Sequence, residues 1–303
     1  MSTILAADVG GTNIRAALVS ANGEIAHQMR SQAALGDKNI SQDKLISRLS
    51  DFFGNIIQNN SITAVGIGFP GFFLGSSGVL VSSPNLPQLH GVELAKKLSA
   101  ALAVPVHIQN DALCAAIGEQ RFGAGKGTAN LLHITLGTGI GGGLVLNQIP
   151  YTGENGMAME FGHLTVQHDE TARICGCGGL GCVEAYASAT AITTRYAESA
   201  GEKIDAKSIY QRARNGDDQA VKLIESAGRY LGIALAQAIK LLDIHTVTIS
   251  GGLTGSWSLL HPAIVLAMNA NLIPPLKGKI NVLKSTLDDN AGLLGAAVIA
   301  SRN

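Results

Sequence analysis

Three of the chain's four cysteines lie in one glycine-rich loop, Cys175-Gly176-Cys177-Gly178-Gly179-Leu180-Gly181-Cys182. Glycines there let the backbone wrap an ion without steric conflict, and His163 stands upstream within reach. Cys₃His is a set that binds zinc tetrahedrally, and four protein ligands leave no open position for a substrate. The expected ion is therefore a structural Zn²⁺ held by His163, Cys175, Cys177 and Cys182, not a catalytic one. The competing reading, three buried or redox-active thiols, does not account for such tight spacing. Cys114, far from the cluster, reads as a small buried hydrophobe.

Glycine also marks two loops suited to phosphate. Asp8-Val9-Gly10-Gly11-Thr12-Asn13 joins two apolar segments, 3–9 and 14–20. Gly10 and Gly11 let amide groups approach phosphate oxygens, and Thr12 adds a hydroxyl. Asp8 offers a carboxylate to Mg²⁺, directly or through water. An ordinary hairpin turn would need the glycines but not the flanking Asp and Thr. The second loop, Gly137-Thr138-Gly139-Ile140-Gly141-Gly142, also fits G-x-G-x-x-G, but a strand-like segment follows it where a dinucleotide fingerprint needs a helix. No G-x-x-x-x-G-K-[ST] sequence occurs. What remains is a nucleotide held between two hairpin loops, with Ser250-Gly251-Gly252 as a third backbone approach, to the adenosine.

Between the two loops, Asn110-Asp111 ends a strand and opens a helix. Simple capping explains such a dipeptide equally well in isolation. Its position between two phosphate loops favours a base that accepts the proton of a sugar hydroxyl attacking a γ-phosphoryl group. Glu160-Phe161-Gly162-His163 follows the second loop, and Glu184 lies just past Cys182. With Asn110 these carboxylates and the imidazole can hydrogen-bond several hydroxyls of one pyranose. A zinc-fixed loop would orient Glu184 and hold His163 beside Glu160, so metal loss is expected to loosen the sugar site.

The elements that must position these groups alternate between strand and helix. Strands are predicted over 3–9, 14–20, 64–69 and 104–109, and helices over 92–102 and 112–122. The opening pattern then returns as a strand over 130–136, the second glycine turn and a strand from 144. Helices at 205–215, 218–242, 259–271 and 291–301 and strands at 246–249 and 280–284 complete an α/β chain. The repeated strand, glycine turn and strand imply an internally duplicated fold whose halves face each other across a cleft.

Composition narrows the functions further. Of 303 residues 46% are hydrophobic and 15% charged, with 22 basic and 22 acidic side chains balancing to zero. No Lys/Arg block exists to grip nucleic acid or an anionic membrane. No apolar run reaches the roughly 18–20 residues that span a bilayer, and Met1-Ser2-Thr3 carries no basic leader. The expectation is a soluble cytoplasmic protein of two domains, its thiols reduced.

D-x-G-G-T, N-D after a strand, G-T-G-x-G-G, E-x-G-H and C-x-C-G-x-x-G-C-x-E occur here in that order. Their succession, from Asp8 onward, resembles the ROK family, which contains bacterial sugar kinases and related repressors. The resemblance implies a two-domain actin-like ATPase (ribonuclease H-like) fold with ATP and sugar meeting in an interdomain cleft. Residues 1–111, completed by the terminal helix 290–303, would form the N-terminal α/β domain, and 112–289 the C-terminal α/β domain with its knuckle. Asp111 would be the catalytic base. Asn110, Glu160, His163 and Glu184, with Gly71 and Asn85, would contact the sugar. Asp8, Gly10, Gly11, Thr12, Asn13, Gly137, Thr138, Gly139, Gly251 and Gly252 would hold ATP and its Mg²⁺.

The implied reaction is transfer of the γ-phosphoryl group to the 6-hydroxyl of a hexose, by a homodimer or homotetramer. The tail Glu184-Ala185-Tyr186-Ala187-Ser188 is most similar to glucokinase-type members, which points to glucose. One departure bears on that choice: Met159 stands before the E-x-G-H glutamate, where similar members have a small residue. N-acetylglucosamine, N-acetylmannosamine, fructose and mannose are the alternative substrates. A sugar-responsive repressor would need a DNA-binding segment ahead of Asp8, and an assembly ATPase would have no use for Asp111 and Glu184.

Overall fold

The computed structural model describes residues 3–10, 13–32, 39–84 and 86–301. The chain divides into two compact units. One comprises Met1–Ala129, Gly143–Ala158 and Asp289–Asn303, the other Asn130–Gly142 and Met159–Asp288.

The first unit is built on a five-stranded sheet of order β3-β2-β1-β4-β7. Its strands are β1 (Thr3–Val9), β2 (Asn13–Ser20), β3 (Ile25–Gln32), β4 (Ile62–Phe69) and β7 (Val106–Asn110). The first three form antiparallel pairs, whereas β1, β4 and β7 run parallel. β4 is buried along Ala64–Phe69, the continuous apolar run expected of a parallel strand covered on both faces. One cover is α1 (Gln42–Ile57), capped by Ser41 and burying Leu45, Leu49, Phe53 and Ile56 along one stripe. α2 (Leu94–Leu102) adds Leu94 and Leu98 to the same core. Between β4 and α2, β5 (Phe72–Phe73) and β6 (Leu80–Ser82) make a small hairpin.

Elsewhere in this unit α3 (Asp111–Phe122) packs along α9 (Ala291–Ala300). The two helices cross so closely that any side chain at Gly295 would overlap the carbonyl of Cys114. A Cβ at Gly66 of β4 would likewise overlap the carbonyl of Ala296. Backbone therefore lies directly on backbone here, which only glycine permits.

The second sheet has the order β10-β9-β8-β11-β12, from β8 (Leu131–Leu136), β9 (Ile140–Leu146), β10 (Ile149–Pro150), β11 (Thr246–Ser250) and β12 (Asn281–Lys284). Numbered within its own sheet, each of the two reads 3-2-1-4-5, which is the duplication anticipated from the repeated glycine turns. The division between units falls inside β9. The second unit adds α4 (Glu184–Ala187), α5 (Ala189–Ala200), α6 (Ala206–Arg214), α7 (Asp218–Leu242) and α8 (Trp257–Asn271). Among the described residues no helix is long and apolar enough to cross a membrane.

His133 lies fully buried on β8. Its Nδ1 is 2.8 Å from Thr248 Oγ1 and its Nε2 3.0 Å from Ser250 Oγ, both on β11. Burial pushes the imidazole down to about 3. Below its ordinary pKa near 6.5 the unfolded chain takes up a proton that the folded chain refuses, so stability falls as pH drops toward 3. At about pH 5 this loss is on the order of 2 kcal/mol. Wild type and His133→Leu, compared by equilibrium denaturation near neutral pH and near pH 5, should therefore differ less at the lower pH. A gap of constant size would rule out the buried neutral imidazole.

Candidate active site

Because β1, β4 and β7 are parallel, their carboxyl ends lie on one side of the sheet. β1 delivers Asp8 there, and β7 delivers Asn110 and then Asp111, the first residue of α3. β4 runs between them, and the residue it sets level with Asp8 and Gln109 is Gly68. A Cβ at Gly68 would already sit 3.6 Å from the Cα of Asp111. The Cys114 side chain packs over Gly68, its Cβ and Sγ each 3.5 Å from where a Cβ there would sit, and the two acids act on each other across two strand spacings of about 10 Å.

The electrostatics follow from that placement. Burial raises the Asp8 carboxyl to about 6, the charges of Asp111 and Asp289 add to the rise, and Arg15 opposes it. Burial also raises Asp111, against the lowering effect of backbone N–H groups at the start of its own helix. Its Oδ1 accepts the Ala112 N–H at 2.9 Å. Arg15 pairs with Asp8 in the β1–β2 register and donates to the Asp289 carbonyl at 2.6 Å and to Asn290 Oδ1 at 2.9 Å. No short motif marks Arg15, Asp289 or Asn290, and sequence reasoning missed all three.

Asn110 is a structural hub. Its Oδ1 accepts the Leu113 N–H at 3.0 Å and caps α3, while its Nδ2 donates to the carbonyl of Gly71 at 3.1 Å. Gln109 Nε2 holds the same loop by donating to the Gly75 carbonyl at 3.0 Å. In the first glycine loop the Gly10 N–H donates to the Asn13 carbonyl at 2.8 Å. Gly11, Thr12 and Asn85 lie outside the described residues.

In the second unit β8 enters the loop 137–139 and β9 leaves it. Glu184 Oε2 accepts the Ile140 N–H at 2.8 Å. The Ala189 N–H donates to the Gly137 carbonyl at 2.9 Å, and the Thr190 hydroxyl donates to the Thr138 carbonyl at 2.8 Å. Gly251, at the end of β11, has φ +96° and lies against the backbone of Leu136, so loops 137–139 and 251–252 are neighbours. Glu160 Oε2 lies 3.5 Å from His163 Nε2. Met159 has φ +70°, a backbone conformation natural to glycine, which lacks the Cβ that other residues must accommodate there.

The other nitrogen of His163, Nδ1, stands 3.7 Å from Cys175 Sγ, and Cys177 Sγ stands 3.8 Å from Cys182 Sγ. All four donor atoms lie within 4.8 Å of one another. Tetrahedral zinc, with Zn–S near ~2.3 Å and Zn–N near ~2.1 Å, sets S···S at about 3.8 Å and S···N at about 3.6 Å. The donor set therefore fits zinc by chemistry and by spacing. Burial pushes the Cys182 thiol up to about 12, whereas the Gly179 N–H holds Cys177 below its ordinary value. Binding a dication would displace these protons. Cys114 is buried away from the cluster.

The expected residues thus fall into two groups. Asp8, Gly10, Asn13, Gly71, Asn110 and Asp111 belong to the first unit. Gly137, Thr138, Gly139, Glu160, His163, Cys175, Cys177, Cys182, Glu184, Gly251 and Gly252 belong to the second.

Comparison with known proteins identifies the family. The ROK family model matches residues 4–303. A glucokinase of Thermotoga maritima is 33% identical over 98% of this chain and 96% of its own length. An N-acetyl-D-glucosamine kinase of Pectobacterium atrosepticum is 31% identical over 96% of this chain and 97% of its own. A crystal structure of a ROK family glucokinase from Streptomyces griseus, in complex with glucose and AMPPNP, matches with a TM-score of 0.85 at 30% identity, covering 100% of both chains.

Proposed function

The chain belongs to the ROK family, and from that premise we propose that it is a glucokinase with Asp111 as its catalytic base. Its fold is the actin-like ATPase fold, and it is an ATP-dependent sugar kinase. The observation that carries the reading is the pair Asp8 and Asp111, delivered by parallel strands to one side of a sheet with Gly68 on the strand between them.

The sugar's 6-hydroxyl gives its proton to a carboxylate oxygen of Asp111 as its oxygen bonds to the γ-phosphorus. The bond from that phosphorus to the bridging oxygen breaks, and ADP leaves with the electron pair. A carboxylate whose affinity for protons is raised by burial is the better acceptor, because its pKa moves toward the working pH. Asp8 would hold Mg²⁺, which would neutralise charge on the phosphates. To the nucleotide we assign Gly10, Gly11, Thr12 and Asn13 of the first loop and Gly137, Thr138, Gly139, Gly251 and Gly252 of the second unit. Asn110, through the cap that also fixes Gly71, sets the wall beside the base, and Asn85, Glu160, His163 and Glu184 bind hydroxyls. His163, Cys175, Cys177 and Cys182 would hold a zinc ion, which would supply rigidity, and His163 presents its second nitrogen to Glu160. The protein acts as a homo-oligomer in the cytoplasm, where the knuckle's thiols stay reduced.

A coupled assay of ADP release with ATP and Mg²⁺ across glucose, mannose, fructose, N-acetylglucosamine and N-acetylmannosamine tests the substrate. Glucose should give the highest kcat/KM, by about 10-fold or more over each competitor. Preference for N-acetylglucosamine would replace this reading with that of the Pectobacterium relative.

A further inference from the structure

We infer that Glu184 is a positioning residue that ties the metal knuckle to the second glycine loop, so that metal occupancy sets affinity for nucleotide as well as for sugar. The inference rests on the assignment of loop 137–139 to the nucleotide.

One short segment secures that loop. The Gly137 and Thr138 carbonyls are taken by Ala189 and Thr190, and the Ile140 N–H is taken by Glu184. The amides of Thr138 and Gly139 make no hydrogen bond among the described residues. Those two donors are what the loop can offer an anion, and their direction is set by the three ties around them. Of the three, only Glu184 also meets the knuckle: its Oε1 lies 3.8 Å from Cys175 Sγ while its Oε2 holds Ile140. The loop closes on this carboxylate, since a Cβ at Gly139 would come within 2.5 Å of Oε2. Glu184 begins α4, whose next residue donates its N–H to the Cys182 carbonyl at 3.0 Å. Any shift of Cys175 or Cys182 on metal loss therefore moves Glu184, and with it the Ile140 amide. Sugar contact alone would require none of these ties.

Titration calorimetry with ADP in the absence of sugar tests the coupling. Four samples suffice: metal-loaded wild type, chelator-treated wild type, and Glu184→Ala with and without chelation. Stripping wild type should weaken ADP binding by about 10-fold. Glu184→Ala should match that loss while keeping its metal, and stripping it should add nothing further. Glu184→Gln should retain most of the affinity, because its amide oxygen still accepts from Ile140. Hydrogen exchange of a peptide spanning 137–141 should rise on stripping and in Glu184→Ala alike. Unchanged ADP affinity on stripping, with sugar affinity reduced, would overturn the inference, as would additive losses. Failure of the sugar-kinase reading is told apart by the coupled assay, which would then show no sugar-dependent ADP release whatever calorimetry gives.

Discussion

Asp111→Asn is expected to lower kcat by about 10²–10⁴-fold while making the folded protein more stable. Both effects have one cause. Burial raises the Asp111 carboxyl, so its ionised form, the form that accepts a proton, is the form the fold disfavours. Asparagine keeps the shape and can still accept the Ala112 N–H, but it cannot take the hydroxyl proton. Its neutrality also removes one of the charges that push Asp8 up. Asp8 itself, raised to about 6, retains a proton between about pH 4 and 6 that the unfolded chain releases. Its destabilising effect therefore grows across that range and reaches on the order of 3 kcal/mol at neutral pH. Asp111→Asn should relieve part of this. Steady-state kinetics, sugar titration and thermal denaturation together check the prediction: kcat falls, sugar affinity stays within a few-fold and the melting temperature rises. A variant with wild-type turnover would remove Asp111 from its role. One that lost turnover and stability together would make it a residue of the fold.

Cys182→Ala should abolish metal retention and reduce kcat/KM for the sugar by about 100-fold or more. Cys182 Sγ is within 3.8 Å of Cys177 Sγ, and a Cys₂His remnant with an open corner holds zinc far more weakly than the closed set. His163 then loses the partner that fixes its Nδ1, and its Nε2 no longer stands reliably beside Glu160. Elemental analysis of protein purified without chelator should find about one zinc per wild-type chain and almost none in the variant. Wild type free of metal, or a variant with full activity, would defeat the assignment.

The sequence made the chemistry-bearing turns legible because each is local. Asp8, Asp111 and the knuckle stand out since strand, glycine and acid occur side by side, and the paired sheets follow from the repeated turns. The supports were harder to read because they are joined through space. Arg15 reaches Asp289 and Asn290, far away in the chain. α5 escaped notice although Ser188 caps it by accepting the Ala191 N–H. Ile192, Thr193 and Thr194 are β-branched and weaken the helical signal. Helix α5 is nevertheless what brings Thr190 to the loop. The dual engagement of Glu184 also has no signature, since a lone glutamate after a cysteine says nothing of the amide it meets. Nor does the crossing between units inside β9, where the apolar run passes unbroken.

The crossing of α3 and α9 has a consequence for how the protein is made. The unit that carries Asp8 and Asp111 recruits Asp289–Asn303 as its last piece, and Arg15 finds its hydrogen-bond partners, among the described residues, at Asp289 and Asn290. Backbone packs on backbone at Gly66 and Gly295, so these contacts of that half form only once α9 is in place. On the ribosome the first hundred residues therefore wait, with the surroundings of Asp8 incomplete, until residues 289–300 have been made. A truncated product lacking α9 would hold the knuckle and its loops yet have no finished wall around its acids, so an incomplete chain is born unable to spend ATP.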